Sequence, residues 1–257
     1  MNKGQKWITF DLDGTLMQNP FKKWVFPEIA ETLADEIPDA DIIDELVREH
    51  SVRMGERRYR EAYDWDDMLN KVAACYGASH ALSVERMVKQ HSVVPKVYLL
   101  EEGIREVLRK LSDKGYALGI ITNGLGKYQL PVLETLQLKD HFAKIVTPDH
   151  AGYAKPDLRT ADPFTENGDE LVAHVGDRVD HDVYFANRLG CLSFLIDRDM
   201  PEQVRCQSPK DRTQNESYVG ILKEKWSKGN HLTIQIACEE ITPSAALCTL
   251  EELPGLL

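Results

Sequence analysis

Five apolar runs of strand length recur along the chain, and stretches with helical periodicity separate them. The runs cover residues 6–10, 117–122, 144–147, 171–175 and 192–196. Between them, apolar residues in 104–114 and 127–136 recur at the spacing of amphipathic helices. Strands that alternate with helices in this way predict an α/β fold with a mostly parallel, doubly wound sheet.

The segment from residue 21 to residue 96 breaks this alternation. Amphipathic helical patterns cover residues 28–36, 41–60, 65–76 and 83–90. An insert directly after the first strand would overhang the ligand crevice, because that crevice lies at the carboxyl ends of parallel strands. We therefore expect a core of residues 1–20 and 97–257 with a small all-helical cap of residues 21–96.

Beyond residue 196 the patterns are weaker. Residues 197–230 are polar, with a helix candidate at 218–228, and predict a peripheral insertion. Their composition fits a homodimer contact, a lid or disorder, and the sequence leaves these open. Residues 232–237 alternate like a strand, and residues 249–253 predict a short closing helix.

Charge narrows the range of partners. The 257 residues carry a net charge of -11, whereas a surface for nucleic acid or anionic membranes needs concentrated Lys and Arg. No apolar stretch approaches membrane-spanning length, and the five cysteines are scattered without a CxxC pair. We expect a cytoplasmic protein with reduced thiols that binds neither a nucleic acid polymer nor a membrane.

Two carboxylates, Asp11 and Asp13, follow the first apolar run and precede Gly14 and Thr15. Their charges repel each other unless something neutralises them. A hard divalent cation such as Mg²⁺ would do so through oxygen ligands. A turn with a helix cap would use the same residue types, so this motif alone leaves both interpretations open.

Polar residues follow three later apolar runs in the same way. They are Thr122-Asn123-Gly124, Lys155-Pro156, and the acidic turn that contains Asp177 and Asp182. Hydroxyl, amide and lysine groups suit phosphate oxygens, and further carboxylates can complete a cation site. Each motif alone also fits an ordinary turn or helix cap. Their order along the chain predicts one site, because the carboxyl ends of parallel strands share an edge.

Together these residues resemble the four motifs of the haloacid dehalogenase superfamily: DxDGT, a strand-end Thr, Lys-Pro and GDxxxxD. The resemblance covers the predicted core, and the helical insert matches only by position, as a cap of the C1 type. It implies a Rossmann-like core and a Mg²⁺-dependent phosphatase that acts on a small phosphorylated metabolite.

The resemblance also implies a role for each residue. Asp11 would attack phosphorus and form an aspartyl-phosphate, and Asp13 would act as general acid and base. The phosphoryl oxygens would be bound by Thr122, Asn123 and Lys155. The cation would be held by Asp11, the Asp13 carbonyl and Asp177, with Gly14, Thr15 and Asp182 in support.

Two alternatives stay open. A phosphomutase would use the same Asp11 and Asp13, and a catalytically silent binding protein would keep the fold. A full set of mutually repelling carboxylates argues against the silent protein. Arg178 stands where many relatives carry Ser or Thr, so we expect altered surroundings at the cation site.

The predicted cap offers two groups of candidate substrate contacts. Five arginines on one predicted helix would bind an anion or, with glutamates at three- and four-residue spacing, form a solvated face; they are Arg48, Arg53, Arg57, Arg58 and Arg60. Four aromatic residues would line a pocket or pack the cap's own centre; they are Trp24, Tyr59, Tyr63 and Trp65. We expect the solvated face and the packed centre, and an exposed His181.

Overall fold

A six-stranded parallel sheet lies at the centre of the computed structural model, which describes residues 4–38, 40–79, 81–229 and 236–257. The strands in chain order are β1 (Lys6–Phe10), β2 (Met17–Gln18), β3 (Tyr98–Leu99), β4 (Ala117–Ile121), β5 (Lys144–Val146), β6 (Glu170–Gly176), β7 (Leu192–Ile196) and β8 (Ala245–Leu247). The sheet order is β5-β4-β1-β6-β7-β8, and β2 pairs antiparallel with β3 outside it. The predicted doubly wound α/β class is confirmed.

Strand β1 is the central strand, with β4 on one side and β6 on the other. Its residues Trp7, Ile8 and Phe10 are buried, as expected for a strand covered on both faces. The next strands of the sheet along the chain, β4 and β5, lie on one side of β1. The later strands, β6, β7 and β8, lie on its other side, so the strand order reverses at β1. A reversal of this kind opens a crevice at the carboxyl ends of the strands.

Thirteen α-helices surround the sheet within the described ranges. They are α1 (Phe26–Leu33), α2 (Ile42–Gly55), α3 (Tyr59–Ala62), α4 (Trp65–Cys75), α5 (Val84–His91), α6 (Ile104–Asp113), α7 (Gly126–Thr135), α8 (Pro148–Ala151), α9 (Tyr184–Leu189), α10 (Glu202–Arg205), α11 (Pro209–Arg212), α12 (Glu216–Gly229) and α13 (Cys238–Ile241). In α6, Ile104, Val107, Leu108 and Leu111 form the buried stripe that its sequence spacing predicts.

Helices α1 to α5 occupy the segment predicted as an insert, and α1, α2, α4 and α5 share an apolar cluster. Leu33, Leu46, Leu69 and Val88 belong to this cluster, and Tyr128 of α7 joins it from the sheet side. No helix in the described part of the chain is long and apolar enough to cross a bilayer. The exact limits of the predicted cap, 21 and 96, stay a prediction.

The predicted single helix over residues 41–60 is wrong. Helix α2 ends at Gly55, and Arg57 takes a left-handed backbone conformation with φ of 59° before α3 begins at Tyr59. Left-handed residues are incompatible with a continuous right-handed helix. The five arginines therefore lie on two helices and the turn that joins them.

Residues 197–229 do not form the peripheral insertion that the polar composition of this segment predicts. Tyr218, Leu222 and Trp226 of α12 are buried in an apolar cluster with Leu195 of β7 and Ala246 of β8. Strand β8 extends the sheet but was not predicted. Most of the strand predicted at 232–237 lies outside the described residues, and the predicted closing helix is a 3-10 helix over Leu250–Gly255. A homodimer contact stays a prediction.

Candidate active site

The carboxyl edge of the sheet brings all the predicted site residues together. A cavity of about 690 Å³ is lined there by Asp11, Asp13, Gly14, Thr122, Asn123, Lys155, Asp177 and Asp182. Thr15 lies directly behind this lining, where its hydroxyl donates to Asp177 Oδ1 at 3.4 Å. The residues come from the ends of β1, β4 and β6 and from the loop after α8. Their chemical roles stay a prediction.

Lys155 is the buried cation of the site, with 1% of its surface exposed. Its Nζ donates to Asp11 Oδ1 at 2.8 Å and to Asp182 Oδ1 at 2.6 Å. Burial alone would lower the pKa of Lys155, but the two carboxylates outweigh it and raise the pKa above its usual range. Lys155 is therefore held charged.

Asp182 is the most fully compensated acid. Its Oδ1 also lies 3.1 Å from His174 Nε2, and its Oδ2 accepts from the Arg178 backbone N–H at 3.0 Å. Burial would raise the pKa of Asp182, but Lys155 and His174 hold it well below its usual range. With both oxygens occupied, Asp182 fixes the position of Lys155.

Asp11 and Asp177 carry charge that the protein compensates less. Burial raises the pKa of Asp11 to about 7 against the opposing effect of Lys155, and the nearby Asp182 adds to the rise. Burial and then Asp11 raise the pKa of Asp177 well above its usual range. One carboxylate oxygen each from Asp11, Asp177 and Asp182 lie within 4.8 Å of one another. Oxygen ligands at this separation fit a hard divalent cation.

Asp13 is held by a residue that the sequence did not indicate. Gln129 of α7 is buried and donates from Nε2 to Asp13 Oδ2 at 2.6 Å. Asp13 Oδ1 and Gln129 Oε1 are buried without a hydrogen-bond partner among the described residues. Burial raises the pKa of Asp13, and the bond from Gln129 opposes that rise. A buried carboxyl with one free oxygen is suited to proton transfer.

Two glycines leave the space that these side chains occupy. A Cβ on Gly124 would lie 2.0 Å from Gln129 Nε2, and a Cβ on Gly14 would lie 2.3 Å from Asp177 Oδ2. Gly14 also has a φ of 82°, a conformation that side-chain-bearing residues rarely adopt. The predicted supporting position of Gly14 thus has a steric reason.

Asn123 positions the backbone of Lys155. Its Oδ1 accepts from the Lys155 N–H at 2.8 Å, and its Nδ2 donates to the Lys155 carbonyl at 3.0 Å. Nδ2 also reaches the Tyr63 hydroxyl at 3.3 Å. Thr122 is buried next to it, and its Oγ1 accepts from the Gly124 N–H at 3.2 Å. A direct contact of either residue with phosphate stays a prediction.

The predicted cap residues separate into different surroundings. Arg53 is only 1% exposed and pairs with Glu49 and Asp67, so it is not part of a solvated face. Arg57 and Arg60 line a second cavity, of about 760 Å³, together with Tyr59. The solvated face thus describes only some of the arginines.

The aromatic residues divide in the same way. Tyr63 and Trp65 line the cavity that contains Asp11 and Lys155, which we call the catalytic cavity after its proposed role. Trp24 is 40% exposed and is not part of its lining.

His181 is buried, contrary to the expectation of an exposed loop residue. It lies in the turn Val179–Val183 directly after the predicted cation ligand, and burial lowers its pKa to about 4. Arg178 does line the cavity, and its guanidinium is held by both oxygens of Asp180, at 3.1 and 2.6 Å. The charge of Arg178, the residue that departs from the family pattern, is therefore paired with Asp180.

Comparisons with known proteins agree with this geometry. Residues 5–190 match the family model of haloacid dehalogenase-like hydrolases. A glyceraldehyde 3-phosphate phosphatase of Methanocaldococcus jannaschii is 26% identical over 236 residues, which cover 85% of this chain and 97% of that protein. The protein of the same name from Methanothermobacter thermautotrophicus is 27% identical, over 46% of this chain and only 54% of its own length.

A solved structure supports the same relationship. The HAD phosphatase from Thermococcus onnurineus superposes with a TM-score of 0.57 and 26% identity, covering 77% of this chain and 89% of that one. The four motifs and strands β1 to β6 lie within the residues that the family model matches. The chain therefore belongs to the haloacid dehalogenase-like hydrolase family.

Proposed function

We propose that this protein is a phosphatase that hydrolyses a small phosphomonoester with the help of Mg²⁺. The observation that carries the proposal is the arrangement of Asp11, Asp13 and Lys155 at one edge of the sheet, with Lys155 Nζ 2.8 Å from Asp11. The relatives named above as phosphatases support the same reaction class.

In the first half-reaction, a carboxylate oxygen of Asp11 attacks phosphorus. The bond between phosphorus and the ester oxygen breaks, and the leaving oxygen takes a proton from Asp13. The product is an aspartyl-phosphate on Asp11 and a free alcohol. The raised pKa of Asp13, caused first by burial, supports its presence as an acid when substrate enters.

In the second half-reaction, the ionised Asp13 takes a proton from water. The water oxygen attacks phosphorus, the bond to the Asp11 oxygen breaks, and inorganic phosphate leaves. Asp11 and Asp13 return to their starting states. Asp13 thus gives one proton to the leaving alcohol and regains another from water, while Gln129 holds one of its carboxylate oxygens.

Lys155 and Thr122 would hold the phosphoryl oxygens while charge develops on them. Asp11, the Asp13 carbonyl and Asp177 would hold Mg²⁺, which the oxygen-only donor set fits. When bound, Mg²⁺ would supply positive charge against the acids and the phosphoryl group. Residues 21–96 would act as a cap over this site, in a cytoplasmic enzyme.

The test is phosphate release from a panel of phosphomonoesters, with Mg²⁺ or with chelator. We expect Mg²⁺-dependent release, lost by more than about a thousandfold in Asp11→Asn. Asp113→Asn, which changes an exposed carboxylate at the end of α6, is the matched control and should behave as the parent chain. Circular dichroism confirms that both variants fold.

Two outcomes would contradict the proposal. Isomerisation of a hexose 1-phosphate without release of phosphate would identify a phosphomutase. An absence of any reaction from the folded parent chain with Mg²⁺ would favour a binding protein that keeps the fold.

A further inference from the structure

The wall of the catalytic cavity that faces the acids is built from rings. Its members come from the predicted cap and from α7; they are Phe21, Phe26, His50, Tyr63, Trp65 and Tyr128. Neighbouring rings are in contact: the centroids of Phe26 and Trp65 are 5.0 Å apart, those of Phe21 and Tyr128 5.4 Å, and those of His50 and Tyr63 5.0 Å. Trp65 joins these pairs into one continuous aromatic wall, because its ring centroid lies 5.9 Å from that of Phe21 and 5.4 Å from that of His50.

Five rings of the aromatic wall keep exposed surface on the cavity lining, and His50 is one of them. Phe21, Phe26, Tyr63 and Trp65 are half-buried, whereas Tyr128 behind them is 2% exposed. Rings that only packed the centre of the cap would be fully covered. A cavity of about 690 Å³ with such a wall lies in the range of pockets that enclose a ring-containing small molecule.

Positive charge on the cavity lining is mostly committed to acids of the protein. Among the described lysines and arginines of the lining, Lys155 is bound to Asp11 and Asp182, and Arg178 is bound to Asp180. Lys22 is exposed and is the remaining one. A second phosphate on the substrate would thus meet a ring-lined surface with one lysine, where burial of its charge is unfavourable.

We infer that the preferred substrates are monophosphate esters whose alcohol carries a flat ring, bound against Phe21, Tyr63 and Trp65. The inference rests on the proposed function, because the phosphate end is the one that the acids and Lys155 would bind. Ring against ring contributes packing that a short aliphatic alcohol does not provide. A ring-bearing substrate differs from the one in the names of the 26–27% identical relatives, because glyceraldehyde 3-phosphate is a triose phosphate without a ring.

Three esters with the same single phosphate test the preference. Benzyl phosphate carries a flat ring, cyclohexylmethyl phosphate a puckered ring of similar size, and propyl phosphate no ring. All three leave as primary alcohols, so chemistry is closely matched and differences report on binding. We expect kcat/KM for benzyl phosphate to exceed that for propyl phosphate by roughly tenfold or more, mainly through KM.

Two variants connect the preference to the aromatic wall. Trp65→Leu should lower kcat/KM for benzyl phosphate by about tenfold and change that for propyl phosphate by less than about twofold. Trp24→Leu is the matched control, because Trp24 is a cap tryptophan outside the cavity lining, stacked on His91. It should keep the parent values. If Trp65→Leu does not fold, Phe21→Leu replaces it.

The outcomes separate the two proposals. If no ester releases phosphate with Mg²⁺, the proposed function itself fails. If all three are hydrolysed but propyl phosphate is used as well as benzyl phosphate, the ring preference is overturned and the phosphatase stands. Equal loss with benzyl and propyl phosphate in Trp65→Leu would also overturn it, since that result indicates a structural role for Trp65.

Discussion

Two clusters of acids and lysines in this protein use the same residue types to opposite effect. In the first, called the catalytic cluster after its proposed role, Asp11, Asp177 and Asp182 lie around the buried Lys155, and burial raises the pKa of Asp11 to about 7. In the second cluster, Asp64 and Asp66 of the cap bind Lys127 of α7, at 2.8 and 3.0 Å.

The balance of charge and burial explains the difference. Burial would raise the pKa of Asp66, but hydrogen bonds from Lys127 and its neighbours outweigh burial and lower it. Asp66 also accepts from the Val84 N–H at 2.6 Å at the start of α5. The half-exposed second cluster therefore stabilises the fold, whereas the buried catalytic cluster holds excess negative charge at the expense of stability.

Removal of the buried lysine should have the largest effect. Lys155→Met would leave Asp11 and Asp182 buried without a counter-charge, and we expect the free energy of unfolding to fall by about 3 to 5 kcal/mol at pH 8. Urea unfolding in chelator measures this free energy. Lys89→Met, at an exposed position of α5, is the control. A loss below about 1 kcal/mol would mean that the catalytic acids are neutral in the folded protein.

Removal of the catalytic charge should stabilise the protein. Because the pKa of Asp11 is raised to about 7, the folded chain keeps a proton that the unfolded chain releases near pH 4. Stability contributed by this group is therefore present at low pH and lost as pH rises to about 7. Asp11→Asn should raise the free energy of unfolding in chelator by about 2 to 4 kcal/mol at pH 8, and by less at pH 5.

The contrast between the two pH values is the critical result for Asp11→Asn. An equal effect at pH 5 and pH 8 would point to packing rather than charge. Saturating Mg²⁺ should stabilise the parent more than the variant, because a bound cation offsets the carboxylate.

Substitution of Gln129 tests whether its hydrogen bond influences the pKa of Asp13. Gln129→Leu removes the bond to Asp13 Oδ2, which opposes the rise that burial causes in the pKa of Asp13. We expect kcat to fall by about tenfold and the pH limb that reports Asp13 to move to higher pH. A profile that falls in height without moving would restrict Gln129 to packing.

The second cluster should show the smallest effect and the opposite sign. Asp66→Asn should lower the free energy of unfolding by about 1 kcal/mol at pH 7. Since the folded pKa of Asp66 is lowered, this stability is present above the unfolded pKa near 4 and is lost as pH falls through the folded value. Parent and variant should therefore converge as pH falls below the folded pKa of Asp66. Convergence at high pH instead would reverse the assignment of the two clusters.

The catalytic acids could be predicted because the information is local. Asp11 and Asp13 interrupt an apolar run, and Asp177 follows another. The ends of these strands can therefore be recognised in the sequence without knowledge of how the helices pack on the sheet. Gln129 could not be predicted. It stands within an amphipathic helix whose direction toward Asp13 depends on how α7 packs on the sheet.

The errors also have physical causes. The turn at Arg57 contains no proline, and its left-handed conformation closes α2 through local backbone hydrogen bonds from Arg57 N–H to the Met54 carbonyl and from Arg58 N–H to the Arg53 carbonyl. The usual signal for such an ending is a glycine at the left-handed position, where this sequence has an arginine. Strand β8 has only Ala245, Ala246 and Leu247, too few residues to show alternation. His181 and Arg53 are buried against polar partners that lie far away in the sequence or on a neighbouring helix. A prediction from residue type and spacing alone therefore places both on the surface.

The close approach at Gly14 and Gly124 limits what genetic screens of this protein can tell. Even alanine at either position would drive a methyl group into Asp177 or Gln129. In a library of all single substitutions, both glycines should be depleted, although neither carries a reactive group, because a side chain at either position would displace Asp177 or Gln129. Fitness alone would not distinguish these steric losses from loss of Asp11 or Asp13, which we propose to be catalytic, whereas chemical rescue or pH profiles would.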